Sequence, residues 1–130
     1  MNTALRLCTI LFATSLAGCV VPPPAPQPGL MDVAERPAEK ALLAGMRAYD
    51  DAQYPQAEQL LNQALKAGLG SARDRGVAYK YLAFIFCTSD RTPACETMFR
   101  AARAADPAFA LSKAEAGHPQ WGPVYQRVRQ

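Results

Sequence analysis

The stretch from Pro37 onward restricts the fold most, because polar and apolar residues nowhere alternate there with the period of two that a half-buried β-strand requires. Alanine and leucine are frequent and β-branched residues are few, a composition that favours helices. The sequence therefore predicts an all-α domain over residues 37–130.

Signals for helix starts and ends divide this domain into segments. Pro37, Pro55 and Pro93 each suit a first helical turn. Ser71, followed by Asp74, resembles a capping box. The predicted helices run from Pro37 to about Asp51, from Pro55 to Gly68, from Ser71 through Phe86 and from Thr92 to about Asp106, with a short fifth helix before Gly117 and a sixth around Val124.

The two helix pairs align with each other, and the pattern resembles the tetratricopeptide repeat (TPR), a helical hairpin of 34 residues. The second pair matches at eight signature positions, with a cysteine in place of the usual alanine at one of them: Tyr79, Leu82, Ala83, Phe86, Cys95, Phe99, Ala102 and Pro107. The first pair matches at Gly45, Ala57, Leu61 and Ala64. The resemblance implies a right-handed α-solenoid fragment of two TPR-like hairpins, and small residues would let the helices of each hairpin approach closely.

Two such hairpins need a further element to cover their end, because neither buries its apolar face alone. The C-terminal residues are the expected cap. Phe109, Leu111 and Ala114 are the apolar residues of its short fifth helix. Val124 and Tyr125 belong to the last helix.

The N-terminal residues are typical of a secretory signal. Arg6 precedes a short apolar run over residues 7–16, which is too short to span a bilayer permanently. The letters Leu16-Ala17-Gly18-Cys19 resemble the lipobox of bacterial lipoproteins. This resemblance implies that a signal peptide, residues 1–18, is removed and that Cys19 carries lipid. The alternative is an ordinary signal peptide with a chance cysteine.

Residues 19–36 form the predicted linker. Five prolines between residues 22 and 28 favour an extended spacer, although they could also be a ligand for a proline-binding groove. Val20 stands where an Asp commonly retains lipoproteins at the inner membrane. The resemblance therefore implies an outer-membrane anchor, with the domain facing the periplasm.

Charge excludes one class of partner. Residues 1–18 contain one basic residue, Arg6, so their removal leaves 13 of the 14 Lys and Arg residues against 11 Asp and Glu. The sequence contains no basic stretch with interleaved aromatic residues, which is the pattern that would indicate nucleic-acid binding. The expected partners are proteins, and the membrane is reached through the lipid anchor.

Two cysteines remain for the domain, Cys87 and Cys95. An oxidising compartment and the turn of a helical hairpin favour a disulfide between them, worth roughly 2–3 kcal/mol in the chain-entropy model. Two separate buried thiols are the alternative. A redox-active pair is disfavoured because the spacing is not Cys-x-x-Cys.

A catalytic site is not evident in the sequence. His118 is the only histidine, and beside proline and tryptophan it fits a turn or docking residue better than a ligand. With both domain cysteines bridged, no ligand set for zinc remains. Asp50 and Asp51 fit a solvated helix end. We expect a protein that is not an enzyme, with no cofactor, metal or small-molecule substrate.

The TPR resemblance also implies a binding surface on the first helix of each hairpin. Carried onto this sequence, the predicted partner-binding groove consists of Leu42, Met46, Tyr49, Lys80 and Phe84. Alternatively, Leu42 and Met46 face the core or lie under the linker.

The whole set of features is similar to the TssQ family of small lipoproteins associated with type VI secretion. The stretches that carry this resemblance are the LAGC motif, the prolines, "YLAFIFC", the second cysteine and "DPAFALSKAEAGHPQWGPVYQ". The resemblance implies a protein-binding accessory of a type VI secretion system, with His118 and Trp121 as a possible C-terminal docking element. The alternatives are an envelope-assembly or pilotin-type lipoprotein and a peptidoglycan-associated structural lipoprotein.

Overall fold

The structure is a computed structural model, and it describes residues 36–130. The predicted signal peptide, the lipidation of Cys19 and the linker up to residue 35 lie outside the described residues.

The described chain is all-helical, which confirms the predicted fold class. Its six helices are α1 (Pro37–Asp50), α2 (Tyr54–Ala67), α3 (Ala72–Thr88), α4 (Thr92–Ala105), α5 (Lys113–Ala116) and α6 (Gly122–Arg129). Between residues 36 and 130 no helix has the length and apolar character needed to cross a membrane.

Helices α1 and α2 pack along each other as the first hairpin. Their contact depends on Gly45, because a β-carbon there would lie 2.9 Å from Leu61 Cγ. Ala57, Leu61 and Ala64 on α2 are fully buried. At the end of α2 the chain turns through Gly68, whose φ of 88° is in the left-handed region that glycine adopts without strain.

Helices α3 and α4 form the second hairpin. Ser71 caps α3, and its hydroxyl accepts a hydrogen bond from the Asp74 amide at 3.3 Å. A disulfide joins Cys87, near the end of α3, to Cys95, near the start of α4. The predicted bridge is therefore confirmed.

The buried side chains form two adjacent clusters. One lies within the first hairpin and along the facing side of α3, around Leu61, Leu82 and Ile85. The other lies between α3, α4 and the C-terminal residues, around Phe99. Tyr49 packs against both clusters, so the two hairpins share a continuous apolar interior.

The C-terminal segment, residues 106–130, covers the second hairpin, as expected of a cap. Helix α6 packs against α4 and α5. The Tyr125 hydroxyl, itself buried, accepts a hydrogen bond from the Leu111 amide at 3.2 Å. The fifth helix is shorter than the sequence predicts: Phe109 and Leu111 precede it, and Ala114 is exposed.

Gly122 provides the first testable prediction, because the start of α6 crosses the backbone of α5. A β-carbon at Gly122 would lie 2.5 Å from the carbonyl oxygen of Ala116. The replacement Gly122→Ala must therefore move α6 away from α5, and we expect it to lower the free energy of unfolding by about 1–3 kcal/mol. Urea denaturation measures this loss as a lower midpoint, provided that the m value is the same in the variant and in the unchanged chain.

Gly117→Ala is the matched control. Gly117 has an ordinary φ of −83°, and a β-carbon there would lie 3.5 Å from the nearest carbonyl oxygen. We expect that control to be neutral or to stabilise by up to about 1 kcal/mol. Equal stability of Gly122→Ala and the unchanged chain would contradict the α5–α6 packing.

Candidate functional site

The five residues predicted for partner binding, here called the candidate groove, come from two helices. Leu42, Met46 and Tyr49 recur at four- and three-residue steps on α1, and Lys80 and Phe84 are four residues apart on α3. Such spacings place each set on one face of its helix.

The structure separates these five residues by burial. Leu42 is 5% exposed and belongs to the first apolar cluster. Phe84 is 4% exposed and belongs to the second. Met46, Tyr49 and Lys80 are half-buried, so they are the members of the candidate groove with surface in reach of a partner.

Tyr49 lies at the centre of a set of aromatic side chains. Its ring centroid lies 5.0 Å from that of Tyr81 and 5.5 Å from that of Tyr54, both in edge-to-face arrangements. Phe84 lies 6.4 Å away. The structure therefore brings Tyr49 and Phe84 together across the boundary between the two hairpins, and Tyr54 extends the aromatic surface to solvent with 42% exposure.

The C-terminal segment covers Phe84. Trp121 stacks on the Phe84 ring with centroids 4.2 Å apart, and it is 8% exposed. The indole Nε1 donates a hydrogen bond of 2.8 Å to the Glu115 carbonyl oxygen. The His118 ring also stacks on the indole, with ring centroids 3.3 Å apart. Of the two predicted docking residues, Trp121 is thus an internal packing residue in this structure, and His118 is half-exposed.

Lys80 binds the same segment through charge. Its Nζ donates a 2.7 Å hydrogen bond to Glu115 Oε1, and both side chains are mostly buried. Glu115 Oε2 accepts from the Ser112 amide at 2.8 Å, and Ser112 Oγ accepts from the Glu115 amide, which completes a capping box on α5. Glu115 therefore both caps α5 and attaches it to α3.

Burial raises the pKa of two tyrosines at the candidate groove above the ordinary value of about 10, so both phenols are neutral at pH 7. Desolvation is the main cause that raises the pKa of Tyr49 to about 12. Smaller contributions come from the neighbouring Tyr54, Tyr81, Asp50 and Glu115. Burial also raises the pKa of Tyr81, with Asp50 and Glu115 adding to the effect. A neutral phenol can donate a hydrogen bond, so the half-buried tyrosines can bind carbonyl oxygens of a partner while their rings contact apolar side chains.

The sequence did not predict two residues of this site, Tyr81 and Glu115. Tyr81 lies next to Lys80 on α3, and no local sequence signal indicates its contact with Tyr49. Glu115 was detectable: Ser112 with Glu115 three residues later is the capping-box signature. Its ion pair with Lys80 spans 35 residues and depends on tertiary packing, which sequence spacing does not reveal.

Between residues 36 and 130 no three His, Cys, Asp or Glu side chains form a group that could hold a metal ion. Comparison with known proteins gives no match to a family model, to a curated protein or to a solved structure.

The ion pair between Lys80 and Glu115 predicts how stability changes with pH. Burial alone would raise the pKa of Glu115, but the hydrogen bonds from Lys80 and Ser112 outweigh it and lower that pKa. A carboxylate with a lowered pKa in the folded state stabilises above its unfolded pKa of about 4.3, and this stabilisation is lost as the pH falls through the folded value. We expect Glu115→Gln to cost about 1–2 kcal/mol at pH 7.

This cost should shrink as the pH falls from 7 to 3, because the carboxyl of the unchanged chain takes up a proton as the pH passes through its folded pKa. Denaturant unfolding at both pH values measures it. Asp51→Asn, an exposed change at the end of α1, is the control, and we expect it to stay within about 0.5 kcal/mol. An equal cost of Glu115→Gln at pH 7 and pH 3 would show that charge on Glu115 contributes nothing.

Proposed function

We propose that this chain is a lipid-anchored outer-membrane protein whose helical domain faces the periplasm and binds proteins as an accessory or scaffold of a type VI secretion system. The observation that carries the proposal is the order of parts: the Leu16–Cys19 motif stands directly before a proline-rich stretch and an all-helical domain. This order supports membership of the TssQ family.

Within this proposal the two hairpins are TPR-like repeats of a right-handed α-solenoid fragment, and residues 106–130 are its cap. Burial of small residues at the helix contacts supports the assignment. The small residues Ala57, Ala83 and Cys95 are fully buried. The absence of a side chain at Gly45 makes space for Leu61, which a β-carbon there would meet at 2.9 Å. The packing of α6 on α4 supports the capping role.

The partner that suits the candidate groove is a short protein segment with apolar side chains. Met46 and Tyr49 offer half-buried surface, and Tyr54 adds an exposed ring beside them. Neutral phenols can donate hydrogen bonds to the backbone carbonyls of such a segment. Trp121 already covers Phe84 and Glu115 pairs with the mostly buried Lys80, so the more accessible part of the groove lies on the α1 side.

Photo-crosslinking in cells tests the function. A photoreactive amino acid replaces Met46 in the candidate groove, and in a control variant it replaces Gln63, an exposed residue of α2. We expect Met46 to capture envelope components of the secretion system, identified by mass spectrometry, and Gln63 to capture them several-fold less. Cys19→Ala in the Met46 variant should release the protein from the membrane fraction and reduce the capture.

The rival functions give different results in the same experiment. Capture of barrel-assembly factors or secretin subunits would replace the proposal with an envelope-assembly or pilotin role. Recovery with purified cell wall would replace it with a peptidoglycan-associated role. Equal capture at Met46 and Gln63 would remove the candidate groove as the binding surface.

A further inference from the structure

Four arginines lie on α4 and α6, two helices of the C-terminal half that pack against each other. We call this set the arginine patch: Arg100 and Arg103 on α4, and Arg127 and Arg129 on α6, with Glu96 on α4 bonded to two of them. Glu96 and Arg100 are one helical turn apart, and Arg103 follows on the same face. The patch uses no residue of the candidate groove.

Contacts across the two helices hold the patch together. Arg127 donates from Nε and Nη2 to Glu96 Oε1 at 3.3 and 3.0 Å. Arg100 Nη2 donates to the other oxygen of Glu96 at 3.2 Å. Arg103 Nη1 donates to the Val128 carbonyl oxygen at 2.6 Å, and the Arg129 guanidinium lies 5.7 Å from the Tyr125 ring centroid. Arg100 and Arg127 therefore share one carboxylate, Arg103 binds the backbone beside Arg127, and Arg129 lies over Tyr125 on its own helix.

The charges of the patch do not cancel. The hydrogen bond from Arg127 lowers the pKa of Glu96, which is ionised at neutral pH. Glu96 pairs with two of the four guanidinium groups, those of Arg100 and Arg127. Arg103 is bonded to a neutral carbonyl and Arg129 lies beside a neutral ring. Side chains of Arg100 and Arg127 are 63% and 54% exposed, so their free donors can reach an external anion.

The arginines of the patch line neither of two clefts in residues 36–130: one of about 410 Å³ lies beside Val77 and Phe109, and one of about 330 Å³ lies beside Tyr54 and Ile85. Arg100 and Arg127 lie on the exposed surface instead. An isolated small anion would have little of its surface buried here. A broad surface that presents many phosphates fits better, because several guanidinium groups can each bind a phosphate at once.

We propose that the arginine patch binds the anionic phosphate groups of a phospholipid bilayer. It would be a second membrane contact, in addition to the proposed lipid on Cys19. Helix α6 packs against α4 and α5, whereas α1, which follows the tether, packs against α2 and α3. The patch therefore lies on α4 and α6, neither of which packs against α1.

The tether is long enough for the patch to contact the same membrane that holds the lipid anchor. Residues 20–36 can span at most about 60 Å when fully extended. The longest helix, α3, has 17 residues and is about 26 Å long. The tether is therefore long enough to let α4 and α6 reach the same bilayer, and the patch shares no residue with the candidate groove.

Vesicle binding tests the patch without any lipid on the protein. The chain over residues 19–130 with Cys19→Ala is mixed with vesicles of phosphatidylglycerol and phosphatidylcholine, or of phosphatidylcholine alone, and sedimented at low ionic strength. We expect binding to the anionic vesicles that weakens as salt is added. The triple variant Arg100→Gln, Arg103→Gln, Arg129→Gln should bind on the order of a hundredfold less, at about fivefold per arginine. Arg127 is retained to keep Glu96 bound.

A charge-matched control separates the patch from net charge. The variant Lys40→Gln, Arg47→Gln, Lys66→Gln removes three exposed positive charges that form no ion pair within residues 36–130. It should keep most of the binding, and thermal unfolding of both variants checks their folds. Equal losses in the two variants, or equal binding to neutral vesicles, would overturn the proposal.

Binding to polyglutamate without binding to anionic vesicles would overturn it as well, and would assign the patch to an acidic protein. The result is independent of the proposed secretion function, because the experiment uses neither the lipid anchor nor the candidate groove.

Discussion

The stacked contact between Phe84 and Trp121 is the interaction on which the rest of the C-terminal half depends. Phe84 lies on α3, and Trp121 of the C-terminal segment stacks on its ring at a centroid distance of 4.2 Å and helps to bury it. Loss of a buried aromatic side chain of this size typically costs about 3–5 kcal/mol. Phe84 also contacts Tyr49 and Phe99, so the same ring joins the first hairpin, the second hairpin and the cap.

The polar contacts around this stack fix where the cap lies. Trp121 donates to the Glu115 carbonyl, and Glu115 accepts from Lys80, so the single turn of α5 is held against α3 by both backbone and side chain. Gly122 then allows α6 to pass close to α5. The cap encloses one part of the candidate groove and leaves the part near Met46 and Tyr49 accessible.

The sequence predicted the elements better than their tertiary contacts. Proline at helix starts, Ser71 as a cap and Gly68 as a stop are local signals, and the four long helices begin and end within a few residues of the predicted positions. The disulfide followed from helix order and spacing. The roles of Trp121 and Lys80 depend on contacts over 35 residues or more, which local patterns do not encode.

The most direct test of this account is a double-mutant cycle on Phe84 and Trp121, with each residue replaced by leucine singly and together. The free energies of unfolding are measured in urea. We expect a favourable coupling of about 0.5–1.5 kcal/mol between the two rings, beyond the loss of buried area. Additive effects of the two replacements would contradict the account, since they would mean that the C-terminal segment does not pack on α3 through this contact.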